Sequence, residues 1–81
     1  MKLDREYIGV SFAGEDLSGQ VLSGTFIGVS FSEANLKGAE LCGEFIDVDF
    51  SRADLSDASI EAGHFVYANF SQAVMLSTLE S

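Results

Sequence analysis

A bulky apolar residue recurs at every fifth position along nearly the whole chain, a spacing that neither regular secondary structure can use as its framework. From Tyr7 the series runs Tyr7, Phe12, Leu17, Leu22, then Phe26, Phe31, Leu36, Leu41, then Phe45, Phe50, Leu55, Ile60, and finally Phe65, Phe70, Met75. Two steps, from Leu22 to Phe26 and from Leu41 to Phe45, are of four residues. An amphipathic helix needs apolar residues three and four apart, and a half-buried strand needs them two apart. The pattern also repeats in blocks of about twenty residues, opened by Tyr7-Ile8, Phe26-Ile27, Phe45-Ile46 and Phe65-Val66. Internal repetition at that period is the mark of a solenoid.

A second column lies two residues before each bulky one and is small or aliphatic: Val10, Gly24, Val29, Ala34, Ala39, Gly43, Val48, Ala53, Ala58, Gly63, Ala68 and Ala73. One large and one small inward side chain in every five fill a narrow tube. A frame shifted by one residue would turn Ile27, Ile46 and Val66 inward and bury Thr25 and Glu44 with them. Burial of an unpaired Glu costs far more than burial of a Gly, so the frame with Phe inward is expected.

The triplets Ala34-Asn35-Leu36, Ala53-Asp54-Leu55 and Ala68-Asn69-Phe70, with looser versions at Gly14-Glu15-Asp16-Leu17 and Ala58-Ser59-Ile60, resemble the A(D/N)LxX motif of the pentapeptide-repeat family. The likeness covers residues 7 to 75. It implies an all-β fold, a right-handed quadrilateral β-helix of about 3.5 coils. The expected organisation is one domain over residues 1–81, with a front cap at 1–6, coils at 7–75 and a back cap at 76–81. Leu3 is available to plug the front, and Leu76 with Leu79 to form a turn over the back.

A chain of 81 residues is near the size at which an ordinary core is marginal, and stacked coils answer that limit by burying one column on the next. No apolar run is long enough for a membrane helix. The charged start, Lys2-Leu3-Asp4-Arg5-Glu6, lacks the apolar region of a secretory signal. A single cysteine forms no internal bridge, so the expected location is cytoplasmic, in a bacterial host.

The net charge of -9 is the main functional clue. The frame turns the acids outward, apart from Glu15 in a small inward slot, and the expected partner-binding acids are Asp16, Glu33, Glu40, Glu44, Asp47, Asp49, Asp54, Asp57 and Glu61. One column reads Asp16, Asn35, Asp54, and another Ser30, Asp49, Asn69. Such a surface keeps a protein soluble, and it also imitates a duplex, which carries one charge per ~1.7 Å of axis. Several members of the family are DNA mimics, notably those that resemble DNA to gyrase, so the resemblance makes a non-enzymatic acidic decoy available. A rod of about 17 Å matches about five base pairs. That favours a short duplex-reading site, such as the motif-recognition cleft of a CRISPR surveillance complex met by a phage anti-CRISPR protein, over gyrase or another topoisomerase. A protein-interaction scaffold without mimicry is the remaining reading.

Ile8, Ile27, Ile46 and Val66 are expected to form an outward apolar ridge of ~200 Å², serving a partner or a dimer seam or simply stacking on itself. Monomer and end-to-end homodimer both fit the pattern. No catalytic, cofactor or metal site is expected. His64 stacks outward over Glu44, Cys42 lies apart from it among acids, and Asp47 with Asp49 would hold a divalent cation weakly at best. Four Lys and Arg in all argue against direct nucleic-acid binding.

Overall fold

In a computed structural model that describes residues 2–76, the five-residue spacing becomes the side of a coil. The C=O of an inward bulky residue accepts the N–H three residues on, as in Ala34 N to Phe31 O at 3.0 Å, Ala53 N to Phe50 O at 3.1 Å and Ala58 N to Leu55 O at 3.0 Å. The residue two beyond the bulky one has positive φ at most of these corners, by Gly at 14, 19 and 38 and by Glu33, Arg52, Asp57 and Gln72 elsewhere. That combination is a type II turn. Each turn redirects the chain, so four sides close a coil of 19 residues, or of 20 where Phe45 stacks on Phe65.

Short strands mark two of the sides: β1 (Lys2–Leu3), β2 (Glu6–Ile8), β3 (Val21–Leu22), β4 (Thr25–Ile27), β5 (Glu40–Leu41), β6 (Glu44–Ile46) and β7 (His64–Val66). They form two parallel sheets, ordered β1-β3-β5 and β2-β4-β6-β7. Single parallel bridges carry the other two sides, through Ser11, Ser30, Asp49 and Asn69 and through Asp16, Asn35, Asp54 and Val74. Register aligns Tyr7, Phe26, Phe45 and Phe65 in one column. No helix among the described residues is long and apolar enough to cross a membrane.

The inward frame is the one with Phe inside. Phe26, Phe31, Phe45 and Phe50 are fully buried, as are Leu22, Leu36, Leu41 and Leu55. The rings of Tyr7, Phe26, Phe45 and Phe65 stack at 5.0, 4.9 and 4.8 Å, with planes within 9°. Those of Phe12, Phe31, Phe50 and Phe70 stack at 5.3, 5.2 and 5.0 Å. Rings of neighbouring columns meet edge-on, as for Phe26 with Phe31 at 5.6 Å. Offset stacking along the axis and tilted contact across it satisfy the ring quadrupoles in both directions.

Residues 2–6 belong to the first coil. Lys2 and Leu3 pair with Val21 and Leu22, and Leu3 is buried at the head of the column of Leu22 and Leu41. The step from Leu3 to Tyr7 is four residues, like those at Leu22 and Leu41. At these short corners two N–H groups share one acceptor: Ser23 and Gly24 donate to Leu3 O at 3.0 and 2.9 Å, and Cys42 and Gly43 to Leu22 O at 3.1 and 2.9 Å. A Cβ on Gly43 would run into the carbonyl oxygen of Gly24, so only glycine fits that approach. After Ile60 the step is five, and the corner opens into a turn closed by Gly63 N to Ile60 O at 3.1 Å. Of the expected back cap only Leu76 lies within the described residues; the turn built on Leu79 falls outside them.

Candidate functional site

The D/N position of the repeat has a local task. Its side-chain oxygen accepts the N–H two residues on: Asp16 from Ser18 at 3.2 Å, Asn35 from Lys37 at 3.1 Å, Asp49 from Ser51 at 2.9 Å, Asp54 from Ser56 at 3.1 Å and Asn69 from Ser71 at 2.9 Å. Ser11 and Ser30 do the same with longer bonds of 3.3 Å. These contacts cap the turn that follows. Three of the nine expected partner-binding acids, Asp16, Asp49 and Asp54, therefore carry a structural role as well as a charge. Between coils, Asn35 Nδ2 donates to Asp16 Oδ1 at 3.3 Å, so the amide separates two carboxylates that would otherwise be neighbours.

Bulky residues point inward at about every fifth position around four sides, and an Asp, Asn or Ser caps the turns that follow two of those sides. The chain is built as a four-sided parallel β-solenoid with a five-residue repeat. Among solved structures it is similar to a pentapeptide repeat protein from the thylakoid lumen of Arabidopsis thaliana, with 25% sequence identity over 91% of this chain and a TM-score of 0.39. This chain spans 56% of that protein's length. No family model and no curated protein matches the chain.

The solenoid places the other acids on its outer surface. Glu40 lies on β5 between Val21 and Ser59, and Glu44 on β6 between Thr25 and His64. Asp47 and Asp57 occupy positive-φ corners at 55° and 60°. Glu61 is exposed on the next coil. The six carboxylates of residues 40–58 thus surround a single coil, on sides and corners alike, and Arg52 is the one cation of that segment. The coil before it, residues 21–39, carries only Glu33 and Lys37 and is formally neutral. The expected columns along the axis are sparse, because Asn35 stands between Asp16 and Asp54, and Asp49 has Ser30 and Asn69 as its neighbours. The charge forms a girdle.

Arg52 is itself engaged. Its Nη1 lies 3.7 Å from Glu33 Oε2, and its Nε donates to Gln72 Oε1 at 2.9 Å, linking one corner across three coils. The pair is largely exposed and adds little stability, but it draws Glu33 out of the free negative surface. Asp16 is held below the usual carboxylate range by hydrogen bonds from the Ser18 hydroxyl (2.8 Å) and backbone. Asp54 is lowered likewise by the Ser56 hydroxyl and backbone, with a smaller contribution from Lys37. The girdle carboxylate at Asp54 therefore stays ionised under mildly acidic conditions.

The ridge residues align as expected, in the register of Ile8, Ile27, Ile46 and Val66. Ile8 is 64% exposed and Val66 36%, whereas Ile27 and Ile46 are half-covered by their neighbours in the stack. Four outward apolar residues escaped the sequence reading as sites: Val10, expected inward, is 38% exposed because no coil stacks before it among the described residues, Val74 is 41% exposed, and two more are larger. Tyr67, beside Val66, is 85% exposed, and Leu76 at the end of the described chain is 69% exposed. The signal for Tyr67 was present, since it stands in a corner column with Gly9, Gly28 and Asp47. Cys42 and His64 are exposed and lie on different columns. Among the described residues no three His, Cys, Asp or Glu side chains come together in a way that could hold a metal ion.

Proposed function

We propose that this solenoid is a non-enzymatic binding protein whose acidic third coil occupies the basic, duplex-reading site of a nucleic-acid-binding protein or complex. The observation that carries this reading is the girdle: six carboxylates around residues 40–58 against one guanidinium, next to a neutral coil. A duplex offers phosphates to opposite walls of the cleft that holds it. A charge girdle does the same at one level of the axis, whereas acids along a single side would face only one wall. Counterions released from the basic cleft would drive the association as they drive DNA binding.

Length favours a short site. Four stacked levels at ~4.8 Å span the height of about four or five base pairs. The partner that fits is one that reads a motif of a few base pairs, such as a CRISPR surveillance complex in the cytoplasm of a bacterial host, with the chain acting as a phage-type inhibitor. Gyrase, which holds a much longer duplex, ranks second.

The test is competition between the solenoid and a short duplex carrying the recognition motif for a purified surveillance complex, repeated over a range of salt. The substitutions Asp47→Asn, Asp49→Asn and Asp54→Asn remove three charges while leaving an oxygen to cap the turns after residues 49 and 54, and at 47 a residue that tolerates positive φ. Displacement that weakens with salt, and a salt dependence flattened by up to about three counterions in the triple variant, are expected. Binding indifferent to salt would remove the decoy reading. Inhibition of gyrase supercoiling without effect on the surveillance complex would transfer it to the second partner.

A further inference from the structure

Eleven corners of the solenoid have positive φ, and the residue types that occupy them differ in what the conformation returns. Glycine at five of them meets no strain. Asp47 and Asp57 are short polar residues that tolerate the left-handed region. Glu33, Arg52 and Gln72 join one another in the ladder along their corner. Tyr67 alone is bulky and apolar, at a φ of 58° and 85% exposed. Among the described residues its ring meets no other aromatic ring and its hydroxyl has no hydrogen-bond partner. A strained residue with no return in packing points to a task outside the fold.

The surroundings of Tyr67 indicate that task. Val66 precedes it, and Ile46 lies in register with Val66. Glu44 flanks this strip on the same sheet, and Asp47 occupies the corner directly before Tyr67, with its N–H donating to Val66 O at 2.8 Å. We propose that Tyr67, Val66 and Ile46 form an apolar anchor through which the solenoid grips a basic protein, with Glu44 and Asp47 pairing with that partner's Lys or Arg at the rim. An aromatic anchor inside a charged rim is how a few residues come to dominate an interface. The proposal rests on the partner being basic, as argued above. A second copy of this chain does not fit, because its own net charge of -9 opposes contact and the strip is far smaller than the ~800 Å² per partner that stable dimers bury. Nucleic acid and anionic membrane are repelled by the same rim.

The probes are three short peptides at physiological salt: lysine alternating with leucine, lysine alternating with serine at the same net charge, and glutamate alternating with leucine. Amide shifts of the labelled solenoid report where each binds. The lysine–leucine peptide is expected to shift residues 44–47 and 64–67. Tyr67→Gly is expected to weaken its binding about tenfold or more while raising the unfolding midpoint by several degrees as the backbone strain is relieved. A fall in that midpoint would show that Tyr67 serves the fold, and would overturn the anchor. So would equal binding of the two lysine peptides, which leaves the girdle reading intact. Equal binding of the glutamate peptide would overturn the basic partner, and failure of both lysine peptides would remove the anchor and the girdle reading together.

Discussion

In the first coil the small inward slots hold Arg5, Val10, Glu15 and Gln20; in the last they hold Gly63, Ala68 and Ala73. The columns are the same, because Arg5 O accepts from Thr25 N as Gly24 O does from Glu44 N, and Glu15 O accepts from Asn35 N as Ala34 O does from Asp54 N. A slot of the small column is fully closed to water only where a coil stacks on both sides of it. At the front, where no described residue stacks over them, Arg5 and Glu15 are both exposed. In the interior, where Gly43 has no room for a Cβ, neither side chain fits. The front is therefore polar and closed to stacking, whereas the described part of the last coil remains small and apolar like the interior.

The sharpest way to break that comparison is to cut the same column at its middle and at its front. Phe45 is fully buried and stacked between Phe26 and Phe65, whereas Tyr7 is half-buried and stacks on one side only. Phe45→Ala is expected to cost about 3–5 kcal/mol, against a total of about 4–12 kcal/mol for a chain of this length. Tyr7→Ala should cost less than half as much. Urea unfolding midpoints measure both, and equal losses would mean that the column does not gain its stability from two-sided stacking.

The closed front can be tested next by giving it the interior's residues. Among the described residues Gln20 Oε1 is buried without a hydrogen-bond partner, a cost of about 1–3 kcal/mol, so Gln20→Ala alone is expected to stabilise the chain by about 1 kcal/mol. Arg5→Gly, Glu15→Ala and Gln20→Ala together should turn the front into a surface that accepts another coil. Sedimentation velocity is expected to show stronger self-association of the triple variant than of the parent. A triple variant that sediments like the parent would mean that these residues do not guard the front.

The five-residue series made the interior columns legible, including the exclusion of Glu44 from the core, because a repeated choice of one large and one small residue admits a single frame. Glu15 was legible only as an anomaly, and Arg5 and Gln20 passed unseen. Reading the step of four from Leu3 to Tyr7 would have placed residues 2–6 in the first coil and all three in their columns. The girdle was harder to see, since grouping acids into columns hides their crowding into residues 40–58. The double role of Asp16, Asp49 and Asp54 is legible in hindsight: Ser11, Ser30, Asn35 and Asn69 at equivalent places share an acceptor oxygen and not a charge. Tyr67 resisted reading because its meaning depends on φ, which sequence gives only through the glycines above it.

Acid offers the finest contrast between the front and the interior of one column. Asp16 at the front and Asp54 behind it are both lowered below 3.8, chiefly by the hydroxyl of the serine two residues on. A carboxylate with a depressed folded pKa contributes stability that is fully present above its unfolded value and is lost as pH falls through the folded one. The loss therefore belongs to the region below 3.8. Ser56 is buried and Lys37 adds attraction at Asp54, whereas Ser18 is exposed and no cation contributes at Asp16. Asn at either position keeps the turn cap and cannot titrate. Asp54→Asn should flatten the fall of the melting temperature between neutral pH and about pH 3, and Asp16→Asn should flatten it less. An equal effect at both sites would mean that exposure at the front does not weaken the serine's hold on its carboxylate, and that the front and the interior of the solenoid differ in packing alone.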